Sequence, residues 1–251
     1  MIGQYTAAEM MAVAASRALE DRQVCFVGIG LPSTACNLAR ATHAPNLVLV
    51  YESGCIGAKP GRLPLSIGDG ELADTADTVV PVPEIFNYWL QPGRMDVGFL
   101  GAAQIDRRGN LNTTVIGAYD HPTVRLPGAG GAPEIAAAAR SVYVMVRHST
   151  RAFVDRLDFR TSVGFGDAPG DRQRLGLRGG GPRRVITDLG ILEPDRDTEE
   201  MTLTQLHPGV EVDQVRAATG WELRVADELR RTEPPTGEEL TALRRLEGVS
   251  R

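Results

Sequence analysis

Apolar positions in the first fifty residues alternate between helical spacing and short continuous runs. A capping box of Thr6 and Glu9 precedes apolar residues at helical spacing and predicts a first helix. Val24–Val27 and Leu47–Tyr51 are continuously apolar, which is typical of strands buried on both faces. Between these runs, a Gly-Pro turn starts a helical stretch that ends near Ala41. Strand, helix and strand in this order predict a βαβ unit with parallel strands and a right-handed crossover.

The later pattern is less regular. Gly57–Asp77, rich in Gly, Pro and acidic residues, predicts a long loop of the kind that often carries function. Further strands are expected at Thr78–Pro81, Met95–Leu100, Val142–Val146, Val185–Thr187, Met201–Leu206 and Leu223–Val225. Further helices are expected at Pro83–Gln91, after the glycines before Pro133, at about Asp213–Ala218, and from a second capping box of Thr236 and Glu239. No internal repeat and no clear compositional boundary divide the chain, so one domain over residues 1–251 is predicted.

Composition narrows the classes of function. A chain of 251 residues with 42% hydrophobic side chains can bury a full core. Its formal net charge of -5 and its lack of long basic clusters argue against nucleic-acid binding. It has neither an apolar run of membrane-spanning length nor a signal pattern, so no membrane association and a cytoplasmic location are expected. Three cysteines without metal-ligand spacing predict reduced thiols and no structural metal.

Glu52 is the first candidate functional residue, because it ends the second predicted strand. Ligands bind at the carboxyl ends of strands in open α/β sheets. Ser53 and Gly54 leave space beside the carboxylate, so that a substrate could approach it closely. Glu52 is therefore a candidate nucleophile. The alternative is a strand-end glutamate that only stays solvated.

A second interpretation of the same stretch is a dinucleotide site. Gly28 and Gly30 follow a strand, and Glu52 closes the next one, where it would hold a ribose. The third glycine of that fingerprint is missing, since Ser33 occupies its place, and Pro32 lacks an amide donor.

The long loop offers two cations near Glu52 in sequence. Lys59 and Arg62 could receive the second carboxylate of an acidic substrate, or they are simply solvated surface cations. The acidic residues of this loop do not follow an EF-hand spacing and have no histidine beside them. We interpret them as a solvated acidic face (Asp69, Glu71, Asp74 and Asp77).

Two further stretches offer hydrogen-bond donors. Gln104 follows another buried strand, and its amide could hydrogen-bond a carbonyl or position a backbone donor; the alternative is that it caps a turn. The glycine loop, Pro127–Pro133, precedes an alanine-rich helix and exposes backbone amides that can bind an anion or a developing oxyanion; a flexible linker is the alternative. His207 has no identifiable nucleophile partner and is expected to be structural.

Taken together, these stretches resemble one family. The segments YESGCIGAKP, GFLGAAQIDRRGNLNTT and LPGAGGAPEIA, with FVGIGLPS, LPLSIGDGELADTADTVV, EIFNYWLQ and TQLHPGV, are similar to the β subunit of class I coenzyme A transferases over nearly the whole chain. The resemblance implies an open α/β sandwich with a mainly parallel sheet flanked by helices and some antiparallel edge strands.

The same resemblance implies roles for individual residues. Glu52, in the Glu-Ser-Gly loop, would be the nucleophile. Gln104 and a backbone amide among Gly128, Gly130 and Gly131 would form the oxyanion site. The segment around Gly54, with Lys59 and Arg62 as candidates, would contact CoA or the acid.

The implied chemistry is ping-pong CoA transfer through an acyl-glutamyl anhydride and then a glutamyl-CoA thioester. Succinyl-CoA and 3-oxoadipate are the expected donor and acceptor. CoA enters as part of a substrate, so no cofactor is expected, and a homologous α subunit is the expected partner. Open alternatives are another acid such as glutaconate or acetoacetate, an acyl-CoA hydrolase on the same fold, and a non-catalytic domain that binds a phosphate or sugar phosphate.

Overall fold

The computed structural model describes residues 5–248, and the chain forms two compact units. The first unit is Met1–Phe99 with Pro234–Arg251, and the second is Leu100–Glu233. The helices are α1 Ala7–Arg17, α2 Leu31–Ala41, α3 Gly70–Asp74, α4 Val82–Glu84, a π-helix π1 Ile85–Leu90, α5 Ala132–Ala138, α6 Asp171–Arg174, α7 Val212–Ala217 and α8 Gly237–Leu246. The strands are β1 Val24–Val27, β2 Val48–Tyr51, β3 Cys55–Ile56, β4 Thr78–Val79, β5 Val97–Leu100, β6 Gln104–Ile105, β7 Leu111–Asn112, β8 Val115–Gly117, β9 Pro122–Arg125, β10 Ser141–Met145, β11 Pro182–Ile186, β12 Gly190–Pro194, β13 Met201–Leu206 and β14 Val225–Arg231.

The first unit contains the predicted βαβ unit. Its strands lie in the order β5-β1-β2-β3-β4, with β1 parallel to both β2 and β5. β3 pairs antiparallel with β2, and β4 pairs antiparallel with β3. β3 was not predicted, because two residues are too few to show a periodic pattern.

The predicted helix at Pro83–Gln91 has a different geometry. One turn, α4, continues into π1, where the amide of Gln91 donates to the carbonyl of Phe86. Ile85 and Leu90 are both fully buried. Residues five apart share a face in a π-helix, whereas an α-helix would turn one of them away from the core.

The α1 and α8 helices of the first unit cap themselves and bind each other. Both capping boxes are confirmed: Glu9 accepts from Thr6 N and Glu239 accepts from Thr236 N. Each glutamate also binds an arginine of the other helix, Glu9 with Arg244 at 2.7 Å and Glu239 with Arg17 at 2.6 Å. Between them, α1, α2 and α8 bury a cluster of Ala12, Val13, Leu38 and Leu243.

The second unit has strands in the order β14-β13-β12-β11-β10. β10 is parallel to β11, β12 is antiparallel to both β11 and β13, and β13 is parallel to β14. Two hairpins, β6–β7 and β8–β9, stand apart from this sheet. The strand predicted at Leu223–Val225 overlaps β14, Val225–Arg231, only at Val225. The rest of β14 was not predicted, because this mostly exposed edge strand is largely polar. With parallel strands, antiparallel edges and helices in the chain, the predicted α/β class is confirmed.

A buried guanidinium joins α5 to two loops of the second unit. Arg172 is 3% exposed and donates to the carbonyl oxygens of Ala136, Gly164 and Gly179 at 3.0, 2.7 and 2.9 Å. Its donors bind carbonyl oxygens, and the Glu199 carboxylate adds a favourable charge interaction. These bonds hold the carboxyl-terminal half of α5, the helix that follows the glycine loop.

Two buried histidines share Thr187 in the same unit. His148 stacks on Phe153 with ring centroids 3.7 Å apart and contacts the hydroxyls of Thr187 and Thr219. His207 donates from Nε2 to the carbonyl of Thr187 and contacts Thr232 through Nδ1. His207 thus occupies a structural position. Among residues 5–248, no helix is long and apolar enough to cross a membrane.

We expect His148 to make stability depend on pH. Burial lowers the pKa of His148 to about 4, whereas an unfolded histidine has a pKa near 6.5. As pH falls, the unfolded chain therefore binds the proton first, and stability present above pH 6.5 is lost between pH 6.5 and 4. The difference between the folded and unfolded pKa values corresponds to about 3 kcal/mol of unfolding free energy.

Urea unfolding of wild type and His148→Gln across this pH range measures the effect. The variant should start less stable at pH 7.5 but lose less stability on acidification. Exposed His121→Gln is the matched control and should follow wild type. If the unfolding free energy of His148→Gln depends on pH as steeply as that of wild type, the prediction is wrong.

Candidate active site

A tight turn, Tyr51–Gly54, places Glu52 directly after β2. The amide of Gly54 donates to the carbonyl of Tyr51 at 3.0 Å and closes the turn. Gly54 has φ +102°, and its carbonyl accepts from Val80 N at 3.0 Å. A Cβ at position 54 would lie 1.9 Å from the Val80 carbonyl oxygen, so only glycine fits. We call this segment the Glu52 turn.

The Glu52 carboxylate is left without a partner. Its side chain is half-buried, and no residue within 5–248 forms a hydrogen bond or ion pair with it. Ser53, its neighbour, instead contacts Cys55 Sγ at 3.6 Å. The lone pairs of the carboxylate are therefore available to an incoming electrophile.

Below the turn, a buried polar network fixes the end of β2 against α2. Tyr51 OH lies 3.1 Å from Ser33 Oγ, and Asn37 Nδ2 donates to the carbonyl of Ser33 at 2.9 Å. Burial raises the pKa of Tyr51, so the phenol stays neutral. This role of Ser33 and Asn37 was not predicted, although two polar residues four apart on an apolar helix were a visible signal.

The two loop cations are already paired within the first unit. Lys59 Nζ contacts Asp77, and Arg62 binds Asp69 through both terminal nitrogens at 2.8 and 2.9 Å. The Arg62 guanidinium holds the pKa of Asp69 well below its usual range. A substrate carboxylate would have to displace these partners, so the predicted acid contacts by Lys59 and Arg62 stay predictions.

Two acidic residues of the loop accept hydrogen bonds from backbone amides of the same segment. Asp69 caps α3 by accepting from Glu71 N, and Glu71 accepts from Gly61 N at 2.8 Å. Within the described part of the chain, no group of three or more His, Cys, Asp or Glu side chains is arranged to hold a metal ion.

In the second unit, Gln104 is buried in a fixed orientation. Its Oε1 accepts from Asn112 Nδ2 at 2.7 Å and from Asp158 N at 3.1 Å. Its Nε2 donates to Asp158 Oδ2 at 2.9 Å, and the same oxygen accepts from Gly117 N. The amide oxygen is thus saturated, and one N–H of Gln104 remains for another acceptor.

The glycine loop of the second unit is partly clamped. Gly128 N donates to the carbonyl of Thr113 at 2.8 Å, and Thr113 Oγ1 donates to the carbonyl of Gly128 at 2.8 Å. The Gly128 amide is therefore already used. Among the residues described, none accepts from the amides of Gly130 and Gly131, and Gly130 has φ +49°.

Gln104 and the glycine loop are joined through neighbouring residues, since Asn112 binds Gln104 and Thr113 binds Gly128. The first unit brings Glu52 and Gly54 into one turn and pairs Lys59 and Arg62 with other acids. Because the Gly128 amide is bound to Thr113, Gly130 and Gly131 are the remaining candidates among the three predicted oxyanion glycines. Their role stays a prediction.

Comparison with known proteins identifies the family. Residues 8–218 match the family model described as coenzyme A transferase. The chain is 62% identical over 243 residues to the β subunit of the 3-oxoadipate CoA-transferase of Pseudomonas knackmussii, covering 97% of this chain and 94% of the relative. It is 38% identical to the corresponding subunit of the glutaconate CoA-transferase of Acidaminococcus fermentans, covering 88% and 85%.

The fold agrees with a solved structure of this kind. The crystal structure of glutaconate coenzyme A-transferase from Acidaminococcus fermentans matches with a TM-score of 0.91 and 34% identity, covering 97% of this chain and 95% of that one. The chain therefore belongs to the coenzyme A transferase family, as the β subunit of a class I coenzyme A transferase.

Proposed function

We propose that this subunit transfers CoA from succinyl-CoA to 3-oxoadipate, with Glu52 as the covalent nucleophile. The observation that carries the proposal is the unpartnered Glu52 carboxylate on a turn that only glycine can form. The 62% identity to a subunit named for 3-oxoadipate supports the choice of acid.

The proposed reaction begins when a Glu52 oxygen attacks the thioester carbonyl of the donor. The carbon–sulfur bond breaks, CoA thiolate leaves, and an acyl-glutamyl anhydride forms. The thiolate then attacks the glutamyl carbonyl and expels the donor acid as its carboxylate. The resulting glutamyl-CoA thioester passes CoA to the acceptor acid by the same steps in reverse.

Each of these steps places negative charge on a carbonyl oxygen. Backbone amides aimed at such an oxygen are worth about 3 kcal/mol per donor in other acyl-transfer enzymes. We assign this task in the second unit to the amides of Gly130 and Gly131, with the remaining N–H of Gln104, because these donors have no acceptor among the described residues.

The partner in this proposal is a homologous α subunit, since each of the two relatives is named as a single subunit of its transferase. No resident cofactor takes part, because CoA arrives on the donor and leaves on the acceptor. The expected location is the cytoplasm. Membership of the transferase family favours a nucleophilic Glu52 over one that holds a ribose.

Mass spectrometry of the intact chain tests the nucleophile. After brief exposure of the complex with its α partner to succinyl-CoA, wild type should gain a CoA-sized adduct. Glu52→Gln should gain none and should lose transfer activity by about a thousandfold or more, because an amide cannot form the thioester. Glu238→Gln, at an exposed glutamate of α8, is the matched control and should behave as wild type.

Other outcomes select the alternatives. Thioester consumption without an adduct would indicate a hydrolase, and an intact thioester with reversible binding of a sugar phosphate would indicate a non-catalytic domain. If glutaconate or acetoacetate discharges the adduct and 3-oxoadipate does not, the acceptor acid in the proposal is wrong, while Glu52 remains the nucleophile.

Gly54→Ala tests the turn that presents Glu52. A side chain at a positive φ costs about 1–3 kcal/mol, and its Cβ would also collide with the Val80 carbonyl. We expect lower thermal stability and at least tenfold slower adduct formation. Gly237→Ala, where a Cβ meets nothing within 4 Å, should change neither. Wild-type adduct formation in Gly54→Ala would refute the need for glycine.

A further inference from the structure

The proposed acids carry a second charge that the site must recognise. 3-Oxoadipate and the glutaconate named in a relative are dicarboxylic acids, so one carboxylate stays ionised while the other accepts CoA. Moving this distal carboxylate out of water is unfavourable unless a cation replaces its hydration. A guanidinium suits this task, because its donors match both carboxylate oxygens.

Arg125, at the end of β9, has the required properties. It is exposed, and no acid among the described residues forms an ion pair with it. Its Cζ lies 5.1 Å from the centre of the Tyr119 ring, and its Nη2 donates to the Tyr119 carbonyl at 3.3 Å. These two contacts place the guanidinium beside Tyr119, and most of its donors remain unused.

A line of contacts connects Arg125 to the fixed amide of Gln104. Tyr119 stacks on Phe159 with ring centroids 5.4 Å apart. The residue before Phe159 is Asp158, whose Oδ2 accepts from Gln104 Nε2 at 2.9 Å. All these residues belong to the second unit.

Arg125 also leads directly into the glycine loop. Leu126 N donates to the carbonyl of Thr114 and Gly128 N to that of Thr113, so the backbone between Arg125 and the clamped Gly128 is fixed. The two carboxyl carbons of a four- to six-carbon diacid are roughly 4–6 Å apart, from at most five bonds of about 1.5 Å. In the sequence, Arg125 lies five residues before Gly130, one of the proposed oxyanion donors.

We propose that Arg125, held over Tyr119, binds the distal carboxylate of the dicarboxylic acid and so determines which acids accept CoA. The inference rests on the proposed function. Arg125 contacts the substrate away from the reacting carbon, and Tyr119 is a positioning residue that acts through Arg125.

Single-turnover discharge of the glutamyl-CoA thioester separates this role from the donor step. The complex with the α partner is first loaded with CoA, and discharge is then followed against increasing 3-oxoadipate or 3-oxohexanoate, which has the same chain length and one carboxylate. Arg125→Met should raise the half-saturating concentration of 3-oxoadipate by at least tenfold and leave discharge by 3-oxohexanoate within twofold of wild type.

Matched variants test the geometry. Arg125→Lys keeps the charge and should recover part of the affinity. Tyr119→Phe should match wild type, because the ring and the backbone carbonyl are retained. Tyr119→Ala should raise the half-saturating concentration of 3-oxoadipate several-fold. Arg183→Met, at an exposed arginine of β11, is the control and should have no effect.

The outcomes distinguish the two proposals. If wild type forms no thioester, the proposed function and this inference both fail. If wild type forms the thioester, two results with Arg125→Met remain to be distinguished from the expected one: the variant reacts with both acids as wild type does, or it loses its reaction with both acids equally. Either result overturns only the assignment of Arg125. Thermal unfolding of each variant confirms that the fold is intact.

Discussion

The close approach of Gly54 to the Val80 backbone is the constraint on which the Glu52 turn depends. The contact leaves no room for a Cβ and links the turn to the chain that enters from β4. Because the backbone makes these bonds, the Glu52 side chain is not needed to hold the turn. The carboxylate can therefore remain without a hydrogen-bond partner. This leaves its oxygens available for nucleophilic attack, whereas a structural glutamate would stabilise the fold through such a partner.

Charge pairing separates the residues that hold the fold from those that remain available. Glu9 and Glu239 bind arginines across α1 and α8, and Arg62 is bound by Asp69. Glu52 in the first unit and Arg125 in the second have no such partner among the described residues. An exposed charge without an ion pair is stabilised by solvent, and its side chain is free to contact a ligand.

Buried polar groups give the second unit its rigidity. Arg172 ties α5 to two loops through carbonyl oxygens, and His148 and His207 meet at Thr187. Gln104 is fixed in the same manner by Asn112 and Asp158. Each such group is costly to bury without its partners, so the network specifies one arrangement of the loops. Fixed donors can stabilise developing charge without reorganising during the reaction.

The sequence by itself determined the βαβ order, both capping boxes and the position of Glu52 at a strand end, because periodicity and caps act over three or four residues. It did not reveal β3, the π-helical turn or the polar edge strand β14, whose patterns are too short or too polar. Only the tertiary structure decided which side chains are already occupied. Lys59 meets Asp77 eighteen residues away and Gln104 meets Asp158 fifty-four residues away. Such partners depend on how distant segments pack, and no local pattern encodes that packing.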